Sequence, residues 1–259
     1  MDASSLAFWL ANGSELLHML KSDRHVGAFS TRAQDILAEA VHTAFGSLVR
    51  CITLELTPAM TQFMADADEP AKEAGVLQIF SNTMALLRRC RVNAALTIQL
   101  FSHLFHAINA TAFNTLVSNG NLCVRWFGRR LKARLNALET WAERQGLELA
   151  SQCHLATIMQ ATHLLQAPKY NAEELATLSS TCFKLNSLQV RALLQKYQPA
   201  ADEPRLPAEL IENVVRVSTF NNNLRFYIYI YIYIYIYIYI YLIKIKYHFM
   251  FFIQSMYHR

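Results

Sequence analysis

The feature that most constrains the fold is the long run from Asn82 to Val117, which contains no glycine and no proline. Its apolar residues recur every three or four positions, which is the spacing of one face of an α-helix. Further apolar residues lie off that face, so the helix is apolar around much of its circumference. The run therefore predicts a central helix buried in an all-α core. The residues of the apolar face are Phe101, Leu104, Phe105, Ile108, Ala112 and Leu116.

Two helical patterns precede this run. The first lies at the N-terminus, and Ser4 or Ser5 is its predicted N-cap. The second is predicted from about Thr31 to Leu56, because Pro58 lies just beyond that point. The polar stretch 65–75 then predicts a loop. The predicted buried face of the first helix consists of Leu6, Trp9, Leu10, Leu16, Leu17 and Leu20, and that of the second includes Ile36, Leu37, Ala40, Val41, Ala44, Phe45, Leu48, Val49 and Ile52.

Shorter helical patterns follow the central run. One ends at Gly146, and Asn171 and Ser187 are the predicted N-caps of two more. Pro207 suits the first turn of a last helix. The sequence before Val217 shows neither an alternating strand pattern nor a repeat of fixed period. The predicted fold class is all-α, a multi-helix bundle of long antiparallel helices.

The charge of the chain argues against a nucleic-acid partner. The chain has 24 Lys and Arg and 19 Asp and Glu, but four of the basic residues and none of the acidic ones lie beyond Val217. The part up to Val217 therefore holds 20 basic and 19 acidic side chains, a net charge of +1. A nucleic-acid-binding domain normally carries a marked basic excess.

The cysteines and the N-terminus predict a cytosolic protein. Five cysteines are widely spaced, and their odd number and lack of a CxxC pair fit reduced thiols better than a disulfide framework. The N-terminal segment has an acidic residue, Asp2, where a signal peptide would be basic.

The composition changes abruptly after Val217, and ten of the twelve tyrosines lie beyond this point. Alternating Tyr and Ile is what a TA dinucleotide repeat encodes, and Val217-Ser218 can be written GTGAGT, a splice-donor sequence. The prediction is that residues 1–217 form one domain and that residues 218–259 are intron read-through without an independent fold. The alternatives for this tail are a membrane span over the uncharged stretch 227–243 and, better suited to its period of two, a strand.

No enzyme chemistry is predicted. His103 and His106 are one helical turn apart, but no HExxH motif or third ligand accompanies them. Cys153 and His154 are adjacent on a helix and point about 100° apart, which excludes a thiolate–imidazole pair. The glycines form no phosphate-binding loop. We therefore predict no catalytic residues, no metal and no cofactor.

Two basic groups remain as candidates for a partner-binding surface. Either group is suited to an acidic peptide, although charges on helices are more often solvated or paired with nearby acids such as Glu139 and Glu143. The first group is Arg88, Arg89 and Arg91, and the second is Arg129, Arg130, Lys132 and Arg134.

Four segments resemble the dilute domain, the helical cargo-binding module of class V myosin tails and of afadin-like scaffolds. They are LAFWLANGSELL at 6–17, QLFSHLFHAINATAFNTLV at 99–117, LNALETWAERQGLELA at 135–150 and LNSLQVRALLQKYQ at 185–198. The segments LLRRCRVNAALTIQLFSHLFHAIN, STCFKLNSLQ and DEPRLPAELIENVV are more similar to the afadin branch.

This resemblance implies a protein-interaction module of a cytoplasmic scaffold that links adherens junctions to actin. Binding of Ras-family GTPases, nectin and actin belongs in that family to other regions, so the implied partners here are junctional or cytoskeletal proteins, and membrane contact is indirect. One alternative is the cargo-binding domain of a class V myosin-like motor. An alternative of another class is a helical bundle that encloses a lipid or other apolar ligand.

Overall fold

The computed structural model describes residues 2–67, 71–220, 223, 227–228, 230–234 and 236. The regular elements of this part are all helical, as the sequence predicts. The helices are α1 (Ala3–Ser22), α2 (Val26–Phe29), α3 (Thr31–Phe63), α4 (Ala74–Arg89), α5 (Ala94–Ser118), α6 (Arg125–Arg144), α7 (Glu148–Gln166), α8 (Ala172–Thr181), α9 (Ser187–Lys196) and α10 (residues 208–220), with a 3-10 turn at Gly120–Leu122.

The apolar face of α5 is buried, which confirms the prediction for the central run. Every residue of the predicted face is fully inaccessible to solvent. Phe80 of α4 lies edge-on to Phe101 and Phe105 of α5, with ring centroids 5.4 and 5.3 Å apart. Trp141 of α6 completes this aromatic cluster, 5.3 Å from Phe101. The cluster holds α4, α5 and α6 together, since edge-on aromatic pairs stabilise beyond their buried area.

The central run is two helices rather than one, which corrects the sequence prediction. Helix α4 ends at Arg89, and Arg91 has a left-handed backbone with φ of 58°. The amide of Val92 donates to the carbonyl oxygen of Leu87 at 2.9 Å, a closure typical of helix C-termini. Asn93 then caps α5 by accepting from the amide of Ala95. An arginine in the position that glycine usually takes hid this break from the sequence pattern.

Helix α3 also differs from its prediction, because it continues to Phe63 with Pro58 inside it. Proline in a helix interior costs about 3 kcal/mol through the lost amide and the ring clash. Beyond the predicted end at Leu56, Met60 and Phe63 are 3% and 0% exposed. Burying two large side chains offsets a cost of that size, since each contributes about 1.5–3 kcal/mol.

Two predicted N-caps are displaced to a neighbouring residue. Asp2, not Ser4 or Ser5, caps α1, with its carboxylate accepting from the amide of Ser5 at 2.8 Å. Asn186, not Ser187, caps α9 and forms a reciprocal capping box with Gln189. Asn171 caps α8 as predicted. Asp and Asn match Ser as N-cap residues, so local preference alone cannot choose between neighbours.

The N-terminal half of α3 lies on the outside of the molecule. Leu48, near the middle of the helix, is the first residue of α3 that is buried. Trp9, Leu16 and Ile36 were predicted on buried faces but are 56%, 47% and 62% exposed. Gly13 marks where α1 and α3 come close, since a Cβ there would lie 3.1 Å from Val41.

Helix α3 is also the one helix of the described residues that is long and apolar enough to cross a membrane. That statement rests on length and composition alone, and core helices meet the same criterion.

The tail departs from the strand alternative wherever the structure describes it. Residues 223, 227–228, 230–234 and 236 are helical, and their described Tyr and Ile side chains are exposed. A helix satisfies its own backbone hydrogen bonds, whereas a lone strand requires a partner. The predicted boundary at residue 217 falls within α10, where Ser218 is still buried. Most of the candidate span 227–243 and all residues from 237 onward lie outside the described part.

Candidate functional site

The two predicted basic groups lie at opposite ends of α6 and do not form one surface. Arg88 donates from Nη2 to Oε1 of Gln145, at the C-terminal end of α6, over 2.9 Å. Arg129 lies near the start of the same helix, about 24 Å before Gln145 along its axis. The groups are therefore two separate candidate surfaces.

The first group is open to solvent. Arg88 and Arg89 are in the last turn of α4, and Arg91 follows it in the left-handed conformation. All three side chains are exposed, and within the described residues none of the three is paired with a carboxylate. Cations in the last turn stabilise a helix through its dipole, and this accounts for part of their placement. Their outer faces remain available to an anionic partner.

The side chains of the second group lie in different environments, some buried and some exposed. Arg134 is 7% exposed, and its Nη1 donates to the carbonyl oxygens of Phe63 and Ala65 at 2.6 and 3.0 Å. It satisfies acceptors at the C-terminus of α3, so its inclusion in an exposed basic surface was wrong. Arg130 covers the ring of Trp126 at 4.7 Å and lies 3.6 Å from Asp66. Arg129 and Lys132 are exposed.

A buried polar cluster near the C-terminus was missed by the sequence reasoning. Glu203 forms an ion pair with Arg125 at the start of α6 and accepts from the hydroxyl of Tyr197 at 2.5 Å. The amide of Ala200 donates to the same carboxylate at 3.1 Å. These bonds hold the segment after α9 against α6. Arg125 and Glu203 are 78 residues apart in sequence, so no local motif predicts this ion pair.

Lys169 belongs to the same cluster and is 2% exposed. Its Nζ donates to the carbonyl oxygens of Leu165 and Ala167 at 3.1 and 2.7 Å and lies 4.0 Å from the ring centroid of Tyr197. Burial lowers the pKa of Lys169 to about 8. These contacts close the C-terminal end of α7, so the role that they support is structural.

Two of the three histidines singled out in the sequence lie side by side. His106 of α5 and His154 of α7 have ring centroids 6.3 Å apart, and His103 lies 5.8 Å from Phe45. Burial, followed by the neighbouring histidines, lowers the pKa of His154. Within the described part of the chain no group of three or more His, Cys, Asp and Glu residues is arranged to hold a metal.

Two of the surface grooves formed by the described residues are partly apolar. One, of about 700 Å³, lies between α1 and α3, and its edges include Trp9 and Leu54, which are 56% and 64% exposed. The other, of about 490 Å³, lies between α7 and α8 and includes His163 and Glu174. An apolar-ligand carrier would need an enclosed pocket, so these open grooves do not favour that alternative. The α1–α3 groove is lined by Leu6, Trp9, Ala40, Thr43, Ala44, Ser47, Arg50, Cys51 and Leu54.

The described geometry is that of an all-α bundle with exposed basic side chains and open grooves. Residues 99–201 match the family model described as the DIL domain. The matched stretch spans most of α5 and all of α6 to α9. This match supports the dilute-domain prediction over residues 99–201.

The curated relatives include yeast Myosin-2 and unconventional myosin-Vb. Myosin-2 of Saccharomyces cerevisiae is 24% identical over 63% of this chain and 10% of its own length. Human unconventional myosin-Vb is 22% identical over 82% of this chain and 14% of its own length. The chain thus spans about a tenth of the length of the curated relatives that it matches.

Solved structures of cargo-binding domains share the fold. Myo2-GTD in complex with Mmr1 matches with a TM-score of 0.70 and 20% identity, over 85% of this chain and 62% of that one. A structure described as the myosin V cargo binding domain matches with a TM-score of 0.69 and 20% identity, over 86% of this chain and 62% of that one. These relatives favour the class V myosin alternative and give no support to the afadin branch or to an adherens-junction location.

Proposed function

We propose that this chain is a non-enzymatic protein-binding module of the kind found in class V myosin tails, which attaches a partner protein to a larger molecule. The DIL match over residues 99–201 is the observation that carries the proposal. The shared fold supports it, because the solved relatives include Myo2-GTD in complex with Smy1, Mmr1 and Inp2.

The surface that we propose for the partner is the exposed basic group at the end of α4. Arg88, Arg89 and Arg91 project from one short segment between two buried helices. Arginine forms paired hydrogen bonds with carboxylates and is more weakly hydrated than lysine. The partner chemistry that fits is therefore an acidic segment of another protein.

Charge reversal tests this surface. We expect Arg89→Glu combined with Arg91→Glu to abolish capture of partner proteins from a cell lysate, because an acidic segment is then repelled. The matched control reverses Arg129 and Lys132, which are also exposed but lie at the far end of α6. Arg88 is left unchanged because it contacts Gln145.

The readout is quantitative mass spectrometry of proteins retained on the immobilised chain, with thermal melting of each variant to verify folding. Proteins lost with the first variant and kept with the control support the proposal. Equal retention by both variants contradicts the basic surface, and no protein enriched above empty resin contradicts the binding function itself.

An afadin-like junctional scaffold is the second candidate, favoured by the residue-level resemblance of LLRRCRVNAALTIQLFSHLFHAIN and STCFKLNSLQ. Under this candidate the chain works in the cytoplasm at adherens junctions. The same capture experiment separates the two candidates. Organelle or vesicle proteins among the specifically retained set support the motor-type tail, whereas junctional proteins support the scaffold.

We also propose that residues 218–259 arise from intron read-through. The repeat of Tyr and Ile supports this origin, as does the splice-donor sequence GTGAGT, which can encode Val217-Ser218. Sequencing transcripts across these codons tests it, and we expect most mature messages to leave the repeat out. A mature, spliced message that retains the repeat would contradict the proposal.

A further inference from the structure

The outward face of α3 is a long apolar surface that the rest of the fold leaves open. Counted over all sides of the helix, 11% of an apolar 18-residue window of α3 is buried, and Val41, Phe45 and Val49 are partly buried against the core. Ile36 and Leu54, at the two ends of this face, are 62% and 64% exposed. A helix turns by about 100° per residue, so positions 36 and 54 are separated by a whole number of turns and project from the same side. A soluble chain rarely leaves such a face without a partner.

The face has small residues at its centre and large ones at its ends. Between Ile36 and Leu54 the same stripe continues through Ala40, Thr43 and Ser47. Small side chains let a second helix approach closely at the centre, and the larger ends then close over it. The arrangement is nearly symmetric about the level of residue 45.

Two opposite charges border the stripe, and neither has an ion-pair partner among the described residues. Glu39 and Arg50 are separated by about three turns of helix, so they lie on the same flank of α3. Both are exposed. They also lie at almost equal distances from the level of residue 45.

We propose that this face binds a second copy of the chain, with the two α3 helices antiparallel across a two-fold axis near residue 45. In that arrangement Ile36 of one copy meets Leu54 of the other, and Thr43 meets Ser47. Arg50 comes level with Glu39 of the other copy, and the symmetry forms this ion pair twice. Self-complementarity of shape and charge is what a two-fold interface requires.

The contact is of modest size. The stretch from Ile36 to Leu54 is about 27 Å long, and Trp9 of α1 adds apolar area along one edge. Interfaces at the small end of the stable range dissociate at roughly micromolar concentration. We therefore expect a reversible dimer that is populated at tens of micromolar.

Exchanging charges in the full chain tests two points. One is that a second copy binds this face, and the other is the antiparallel alignment of the two α3 helices. We expect sedimentation velocity to show a monomer–dimer equilibrium for the wild-type chain. Glu39→Arg and Arg50→Glu should each weaken dimerisation about tenfold, because each variant replaces both ion pairs with like charges. The double variant exchanges the charges and should restore the wild-type dissociation constant.

Lys132→Glu on α6 is the matched control, an exposed charge reversal away from this face, and should leave dimerisation unchanged. A monomer at all concentrations would overturn the proposal and leave the face to a different protein. A dimer that the single variants do not weaken would overturn it as well, because association would then arise elsewhere, for example in the tail. A double variant that stays monomeric would exclude the antiparallel register.

Discussion

Arg134 donates a hydrogen bond from Nη1 to the carbonyl oxygen of Phe63 at 2.6 Å, across 71 residues of sequence. The same nitrogen also reaches the carbonyl oxygen of Ala65 at 3.0 Å. Carbonyl groups at a helix C-terminus lack intrahelical partners and must be satisfied from outside when buried. Arg134 therefore satisfies carbonyl groups at the C-terminus of α3, although it is distant in sequence, and joins this helix to α6.

Replacing Arg134 with Met should destabilise the protein strongly. The two carbonyl oxygens then lose a charged donor while they remain shielded from water, and a loss of about 2–4 kcal/mol is expected. Urea unfolding measures this difference. Lys132→Met, on the same helix but exposed, should change stability by less than about 0.5 kcal/mol. Equal effects of the two variants would show that the bond to Phe63 contributes nothing.

Two glycines should respond to alanine with opposite signs. At Gly128 a Cβ would lie 2.8 Å from the Cβ of Leu165, so α6 and α7 must separate, at a cost of about 1–3 kcal/mol. At Gly46, in α3, a Cβ meets nothing within 4 Å, and alanine should stabilise by about 0.5–1 kcal/mol. Thermal unfolding of the two variants compares them directly. A stabilising Gly128→Ala would mean that the two helices are not in close contact.

Glycine at position 91 should stabilise the protein. Arg91 holds a φ of 58°, a conformation that costs an L-residue about 1 kcal/mol and glycine nothing. Arg89→Gly removes the same charge from the last residue of α4, where the backbone is helical, and should instead destabilise by up to about 1 kcal/mol. The denaturant midpoints of the Arg91→Gly and Arg89→Gly variants measure these changes in stability. Should both variants destabilise alike, the arginine charge outweighs backbone conformation at this turn.

Lys169 should make stability rise between pH 8 and pH 9. Burial holds its pKa at about 8 in the folded protein against an ordinary value of 10.5, so the unfolded chain binds more protons in this interval. Stability then increases with pH, by up to about 1 kcal/mol for a single proton. Lys169→Met should remove the increase. A flat wild-type profile would contradict the burial of an ionisable amine here.

Two cysteine thiols should reverse this trend above pH 9. Burial raises the pKa of Cys123 and of Cys182 from 9.0 to about 11, so the unfolded chain loses these protons first. The contribution of the two thiols to the free energy of unfolding is complete below pH 9 and declines toward pH 11. Urea unfolding across this range should therefore place the wild-type stability maximum near pH 9. A maximum well above pH 10 would contradict the burial of the two thiols.

The period of the apolar residues predicted the helical fold and the buried face of α5. This works because the residues of one packed helix face recur at a regular spacing in the sequence. It could not find the break at Arg91, where no glycine marks the left-handed residue. Nor could it place Arg134 inside the protein, since the acceptors that hold its charge lie 71 residues away in sequence. Glu203 escaped prediction for the same reason, because its partner Arg125 is 78 residues away.

Local spacing also failed on α3. Its apolar residues have helical period along the whole length, but only the C-terminal half faces the core. Sequence period shows that a face is apolar without showing which molecule covers it. Ile36 and Trp9 were predicted as core residues on that basis and are exposed in this chain.

The short connection between α6 and α7 has a consequence for the order of folding. Gly146, with φ of 73°, and the bond from the Leu147 amide to the Ala142 carbonyl oxygen reverse the chain within a single tight turn. Since α7 packs on both α6 and α5, residues 94–166 form their main contacts with one another. Chains with local contacts close small loops and fold quickly. This stretch can therefore nucleate folding and supply the template on which the earlier helices dock.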